Sequence, residues 1–153
     1  MSTIEEAKAA IAASSPESSV YVGCDSIRYS KKVNGKKLWF ARYCTVVIVH
    51  KDSTHGCTMF YQIETIPDFG NIHQRMMSEV SYTVEVASAM EPYIGDRHWE
   101  IHLDINKSAK FKSNSAMAEA RGWVLGTFGF EPMFKPNGFA ATHCADHLVR
   151  YKN

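Results

Sequence analysis

The chain has 153 residues, of which 45% are hydrophobic and 22% are charged, and its formal net charge is +1 with the histidines neutral. These values predict a single globular domain that spans residues 1–153, with an N-terminal helix and linker at 1–18 and the core at 19–153. The sequence has no apolar run of roughly eighteen residues, which excludes a predicted transmembrane helix, and its acidic N-terminus does not resemble a secretory signal.

The cysteines indicate a reducing environment. They are widely spaced and form no CxxC motif, so neither a disulfide framework nor a structural zinc site is expected. The cytoplasm is therefore the predicted location. We expect all of these thiols to pack as small apolar groups: Cys24, Cys44, Cys57 and Cys144.

The first half of the chain predicts one helix followed by three strands. Residues 3–14 have the spacing of an amphipathic helix, with Ser2 or Thr3 as the cap and a glutamate three residues later. Strands are predicted at 19–25, 38–50 and 57–66, separated by the polar turns "SKKVNGKK" and "KDSTHG". Three strands joined by short turns indicate an antiparallel meander.

The second half alternates helices and strands. The predicted elements are a helix at 71–91, a strand at 99–105, a helix at about 114–127, a short strand in "FEPMFKP" and a last helix at about 139–150. A meander followed by this alternation predicts an α/β fold, with a five-stranded mixed sheet and helices packed on both of its faces.

Four acidic residues occupy unusual positions in this arrangement. Asp25 ends the first predicted strand, Asp104 lies near the end of the fourth, and Asp146 lies in the last helix between apolar residues. At about 100° per residue, Glu79 falls on the apolar stripe of the long helix, whereas Glu85 falls on the opposite side. A carboxylate on a packed face needs a partner charge, hydrogen bonds or a metal.

Each of these four acids also has a purely structural alternative. The alternatives are a turn for Asp25, a strand-end cap for Asp104, and helical ion pairs of Glu79 with Arg75 and of Asp146 with Arg150.

The order of the acids and of the elements from Ser19 onward resembles the ribonuclease H-like superfamily. Within it, the segments "YVGCDS", "IHLDIN", "SNSAMAEARGWVLGTFGF", "KP" and "CADHLVR" are similar to the YkuK-type predicted nucleases of bacteria and phages. The resemblance implies a ribonuclease H-like sheet and a nuclease that acts on RNA, DNA or a hybrid. It leaves the oligomeric state open and allows a dimer.

The resemblance also implies a catalytic metal site built from Asp25, Glu79, Asp104 and Asp146. Asp25 would bridge two Mg²⁺ or Mn²⁺ ions, Asp104 and Glu79 would hold one of them, and Asp146 would hold the other. Two such cations suit phosphodiester hydrolysis, and carboxylate oxygens suit these metals better than zinc.

Two other functions remain open at this stage. One is a catalytically inactive module of the same fold that binds nucleic acid or a protein partner. The other is an enzyme that uses a cysteine or histidine, for which "THCADH" around Cys144 is the nearest candidate, although a thiol among apolar neighbours is poorly activated.

Residues around the acids are candidates for supporting roles. His102 shares a predicted sheet face with Asp104, and His143 precedes Asp146, so either is a possible neighbour of the metals. The basic segments 28–37 and 107–112 flank the predicted strand ends and either bind phosphates or are solvated loops. The possible nucleic-acid contacts are Arg28, Lys107, Lys110 and Lys112 for phosphates, and Tyr29, Trp39 and Phe111 for stacking on bases.

Overall fold

A computed structural model describes residues 2–106, 116–135, 138 and 145, with the side chains of residues 2, 106 and 135 excepted. In these residues the strands are β1 Ser2–Thr3, β2 Ser19–Val33, β3 Lys36–His50, β4 Cys57–Pro67, β5 His98–Asn106 and β6 Met133–Lys135. The helices are α1 Ile4–Ala13, α2 Ile72–Ile94 and α3 Met117–Phe128.

The strands form one mixed sheet in the order β1-β4-β3-β2-β5-β6. β2, β3 and β4 make an antiparallel meander, while β5 runs parallel to β2, and β6 runs parallel to β5. β2 therefore lies where the antiparallel half of the sheet meets the parallel half. The predicted α/β fold class is confirmed.

All three helices contribute to the core on one side of the sheet, which we call the helical face. Alternate residues of β2 point into this core, including Val20 and Val22, because successive side chains of a strand point to opposite faces. α1 begins after Thr3, whose backbone N–H donates to the Glu6 carboxylate at 3.3 Å, as the predicted capping box requires. The buried side chains of α1 are Ile4, Ala7 and Ile11.

The opposite face of the sheet has its own, smaller apolar cluster. Cys44, Val46 and Ile48 of β3 are buried there together with Ala145. Ala145 belongs to the segment for which a last helix is predicted, and the rest of that segment lies outside the described residues. Apolar contacts therefore cover both faces of the sheet.

The basic segment between the first two long strands is not the polar turn that the sequence predicts. β2 continues to Val33 and β3 starts at Lys36, so the connection is the two-residue turn Asn34–Gly35. Both turn residues have positive φ, 52° and 79°, as a two-residue hairpin whose twist matches its strands requires. The lysines of this segment lie on both faces of an exposed hairpin. Their charges remain solvated there, so they lower the stability little and do not disturb the backbone pairing.

Two smaller features also differ from the prediction. β1 was not predicted, and its two residues pair with Phe60 and Tyr61 at the edge of the sheet. α2 continues past Pro92 to Ile94, because Ile94 is only 3% exposed and its burial stabilises the last turn. No helix among the described residues is long and apolar enough to cross a membrane.

Candidate metal centre

Two aspartates lie side by side where the parallel strands β2 and β5 separate. The pairing of these strands ends at Cys24 and Leu103, and the next residues are Asp25 and Asp104. Beyond this point β2 continues with β3 into the hairpin, whereas the pairing of β5 with β6 shifts register between Leu103 and Asn106. Irregularities of this kind re-aim side chains, and here the irregular stretch includes Asp104.

Glu79 reaches the same place from helix α2. It is only 4% exposed and lies on the buried stripe of the helix together with Val80 and Thr83. Glu85 is exposed, so the helical phase predicted from the sequence is confirmed.

The three carboxylates converge on one point. One oxygen each from Asp25, Glu79 and Asp104 lies within 4.8 Å of the other two. They come from three different elements, two strands and a helix, and each element is fixed by its own packing. The sequence therefore correctly predicted that these three acids come together.

Ser26 connects two members of this cluster. Its backbone N–H donates to Asp25 Oδ1 at 2.8 Å, and its hydroxyl donates to Glu79 Oε2. No ion pair between Glu79 and Arg75 is found in the described part of the chain, so the helical ion pair offered as an alternative for Glu79 is not formed. Ser26 instead orients the two carboxylates toward each other.

Both aspartates lie inside strands. Asp25 lies inside β2 and pairs with Cys44 of β3, so it does not start a turn. Asp104 lies inside β5, which continues to Asn106, and the segment that a cap would contact lies outside the described residues. The alternative for Asp146, an ion pair with Arg150, lies outside the described residues.

Burial of like charges strongly disfavours ionisation in this cluster. Burial raises the pKa of Asp25 to about 9, and the neighbouring carboxylates Glu79 and Asp104 add to the increase. A hydrogen bond from the protonated Asp25 carboxyl to the Asp104 carboxylate acts in the same direction, while the N–H of Ser26, which donates to Asp25, lowers the pKa. At neutral pH Asp25 therefore retains its proton in the absence of a cation.

The donor set fits a divalent metal ion. Three carboxylates, of which those of Asp25 and Glu79 are buried and that of Asp104 is partly buried, repel one another, and a hard cation relieves that repulsion better than a proton on one of them. Oxygen-only ligands suit Mg²⁺ or Mn²⁺, and the cluster contains no thiolate or imidazole that would favour zinc.

The fourth predicted acid, Asp146, lies outside the described residues. Ala145, the residue before it, packs against Cys44, which is the pairing partner of Asp25. The chain therefore passes the face of the sheet on which the side chain of Asp25 lies, one residue before Asp146.

His102 is buried beside the cluster and is held by neighbours of its own. Its Nε2 lies 2.9 Å from Glu100 Oε1, and its ring stacks on Tyr21 with the centroids 5.3 Å apart. Burial lowers the pKa of His102, so the ring is neutral at pH 7. Burial also opposes ionisation of Glu100, but hydrogen bonds with His98 and His102 outweigh it and lower the pKa of this carboxyl. The second histidine candidate, His143, lies outside the described residues.

The predicted nucleic-acid contact Arg28 is already engaged within the protein. Its Nε donates to the Asp68 carboxylate, and its guanidinium carbon lies 3.8 Å from the ring centroid of Trp39. Lys37 lies 4.9 Å from the same ring, so Trp39 is covered by cations. The remaining candidates on the second basic segment, Lys107, Lys110, Lys112 and Phe111, lie outside the described residues.

The described cysteines do not provide a nucleophile next to this site. Cys24 and Cys44 are free and buried, and burial raises the pKa of both, for Cys44 to about 12. Cys57 is free but exposed, so it does not pack as an apolar group as predicted. Cys144 lies outside the described residues.

Sequence reasoning missed Ser26, Tyr21 and Glu100. Ser26 follows Asp25 directly, Tyr21 precedes Asp25 by four residues, and Glu100 precedes Asp104 by four. The alternation of side chains along a strand puts Tyr21 and Glu100 on the same faces as those aspartates. The same alternation turns Ser26 toward the helical face, where Glu79 lies. That relation becomes visible only when the position of α2 is known.

Comparison with known proteins agrees with this architecture. The family model described as "Ribonuclease H-like" matches residues 2–150. No curated protein and no solved structure matches the chain. Since the matched range covers nearly the whole sequence, the chain belongs to the ribonuclease H-like family.

Proposed function

We propose that this protein is a metal-dependent nuclease that hydrolyses phosphodiester bonds with two divalent ions. The observation that carries the proposal is the convergence of Asp25, Glu79 and Asp104, whose carboxylate oxygens lie within 4.8 Å of one another. Buried carboxylates are costly without a cation. Here they lie where the parallel pairing of β2 with β5 ends, and the functional sites of open α/β sheets are found at such switches in strand connection.

The proposed ligands divide between the two ions. Asp25, Glu79 and Asp104 would hold one ion, and Asp25 together with Asp146 would hold the other. When bound, Mg²⁺ or Mn²⁺ ions supply the Lewis acidity that activates a water and stabilises the leaving oxygen of a phosphodiester.

The chain's own residues prepare the site for these ions. Asp25 holds its proton in the metal-free protein and would have to release it to serve as a ligand, because a metal-bound carboxylate is ionised. Ser26 holds Asp25 and Glu79 in their orientations. The packing of α2 against the sheet shields the Glu79 side chain from bulk water. His102 and His143 are the proposed neighbouring groups.

We further propose that the protein is of the YkuK type and acts in the cytoplasm as a single domain. The segments "YVGCDS", "IHLDIN" and "CADHLVR" support the subfamily, and two of them contain described members of the carboxylate cluster. The free thiols of Cys24, Cys44 and Cys57 agree with a reducing compartment.

Calorimetric titration of Mn²⁺ and Mg²⁺ into the metal-stripped protein tests the proposal. We expect saturable binding by the wild type and no binding by the double variant Asp25→Asn, Asp104→Asn. Glu79→Gln should also weaken binding, whereas Glu85→Gln, the same change on the exposed side of the same helix, should not.

Cleavage of RNA, DNA and hybrid oligonucleotides should follow the same pattern. We expect the double variant to lose activity on the order of a hundredfold or more, because removing ligands costs more than removing the groups that orient them. Absence of metal binding even with nucleic acid present would contradict the nuclease assignment and leave a non-catalytic binding module.

A further inference from the structure

The hairpin that extends from the carboxylate cluster has two chemically different faces. We call the part of β2 and β3 beyond Asp25 and Cys44 the arm, and its face on the side of Asp25 the arm face. The arm face consists of Ile27, Tyr29, Lys31, Leu38, Phe40 and Arg42, which alternate with the residues of the helical face.

On the helical face of the arm, the arginine nearest the carboxylate cluster has an acidic partner, whereas Lys32 and Lys37 form no ion pair within the described residues. Arg28 is paired with Asp68 and lies on Trp39. The β4 residue Glu64, which pairs with Tyr43, is also on this side, and after burial its charge is a cause of the raised pKa of Tyr82. The acids that flank the arm from β4 thus lie on the helical face.

The arm face has cations without such partners. The pairing neighbours of Arg42 are Ile27 and Thr65, and that of Lys31 is Leu38, so neither cation lies opposite an acid. Neither cation forms an ion pair within the described part of the chain. Lys31 is exposed and Arg42 is partly exposed, and both are available to an anionic ligand.

Between these two cations lies a pair of aromatic rings. Tyr29 and Phe40 face each other across the two strands, with centroids 5.9 Å apart and planes inclined by 28°. Lys31 Nζ lies 5.8 Å from the Phe40 centroid. Both rings are partly exposed. From Asp25 outward, the arm face therefore presents a cation, an aromatic pair and a second cation.

We propose that the arm face binds a single-stranded nucleic acid next to the site of cleavage, with a base on the Tyr29–Phe40 pair and phosphates at Arg42 and Lys31. The proposal rests on the proposed nuclease function and names its substrate class. An aromatic platform can take a base only from an unpaired strand, since a duplex presents phosphates and keeps its base faces stacked. Tyr29 lies four residues from Asp25, about 13 Å along the strand, or roughly four nucleotides at stacked spacing.

The binding test uses the full-length protein in EDTA, so that affinity is measured without hydrolysis. The probe is a labelled oligonucleotide of about 12 nucleotides, as DNA and as RNA, either single-stranded or as a blunt duplex, and the readout is fluorescence anisotropy. We expect the wild type to prefer the single strand. The double variant Tyr29→Leu, Phe40→Leu should bind it roughly tenfold more weakly, because base stacking is lost while apolar side chains remain.

Lysine variants provide the matched control. Lys31→Gln should weaken binding and reduce the slope of log affinity against log salt by about 0.7, as expected for one phosphate contact to a single strand. Lys32→Gln removes the same charge from the neighbouring residue, which is also exposed but lies on the helical face, and should leave affinity close to that of the wild type. Circular dichroism and thermal unfolding check that each variant is folded.

Three results would overturn the proposal. The first is an equal loss of oligonucleotide affinity in Lys31→Gln and Lys32→Gln, and the second is an unchanged affinity in the aromatic double variant. The third is an arm variant that changes the oligomeric state, measured by light scattering, while its oligonucleotide affinity stays the same. The last result would assign the arm face to a protein partner.

Hydrolysis of a small phosphodiester, bis(4-nitrophenyl) phosphate with Mn²⁺, separates this proposal from the nuclease function. If the wild type cleaves this compound and the arm variants bind single strands as tightly as the wild type, only the proposed role of the arm is rejected. If the wild type cleaves no phosphodiester but the arm variants lose strand binding, the nuclease function is rejected. The arm face is then retained as a nucleic-acid-binding surface.

Discussion

The two halves of strand β2 have the same partner strand and opposite environments. From Ser19 to Asp25, β2 lies between β3 and β5 and its side chains are mostly buried, whereas from Ser26 to Val33 it pairs with β3 alone and is half-buried or exposed. The change occurs at the carboxylate cluster. Burial on the inner half fixes a side chain and perturbs its pKa, while exposure on the outer half leaves charges free to meet a ligand.

A large effect on stability is expected when the same substitution is made in each half of β2. Val22→Ala removes a fully buried side chain and should lower the free energy of unfolding by roughly 2 kcal/mol, from lost burial and the cavity left behind. Val33→Ala at the end of the arm should cost less than about 1 kcal/mol, because Val33 is only partly buried. Urea unfolding measures both values, and equal losses would show that the halves do not differ in packing.

The pH dependence of stability tests the perturbed aspartate. The pKa of Asp25 is raised from 3.8 to about 9, so the folded state holds a proton that the unfolded state releases. Its contribution to stability is present at low pH and is lost as the pH rises through that interval, by on the order of 1 kcal/mol per unit.

Asp25→Asn should remove this decrease of the free energy of unfolding with rising pH, since asparagine resembles the protonated acid and does not titrate. Urea unfolding between about pH 5 and 8 in EDTA gives the measurement, with the exposed Asp96→Asn as control. Parallel curves for wild type and Asp25→Asn would contradict the raised pKa. Adding Mn²⁺ should stabilise the wild type and have no effect on the double variant Asp25→Asn, Asp104→Asn.

A smaller effect is expected at the boundary between the halves. Ser26→Ala removes the hydroxyl that donates to Glu79, and should weaken Mn²⁺ binding roughly tenfold, as for other groups that orient metal ligands. Ser30→Ala makes the same change four residues along on the same face of the arm and should leave binding unchanged. Calorimetry compares the two variants, and equal affinities would remove Ser26 from the site.

The smallest effect concerns the aromatic pair of the arm. Phe40→Leu should reduce stability by less than about 1 kcal/mol, the range for a cross-strand pair on a solvated face. A loss as large as that of Val22→Ala would mean that the pair is a structural core, and the binding role of the arm face would then lose its support.

Much of this architecture follows from periodicity in the sequence. The helical phase of α2 correctly separated Glu79 from Glu85, because 3.6 residues per turn leave little freedom in which face a residue occupies. The apolar strands predicted that Asp25 and Asp104 lie at strand ends. In the structure both lie inside strands, and it is the pairing of β2 with β5 that ends just before them. The arm was mistaken for a turn because its lysines and serines have no apolar period, and a strand exposed on both faces needs none.

The sequence by itself determined the order of the elements, their buried faces and the acids that occupy costly positions, since these depend on local periodicity and on the cost of burying charge. Only the tertiary structure decided that β2 and β5 separate just before Asp25 and Asp104, that Ser26 joins Asp25 to Glu79, and that Arg28 is paired while Lys31 and Arg42 lie on a face without acids. The reason is physical. Strand pairing, register and helix docking bring together residues that are distant in the chain, and no local pattern specifies such distances.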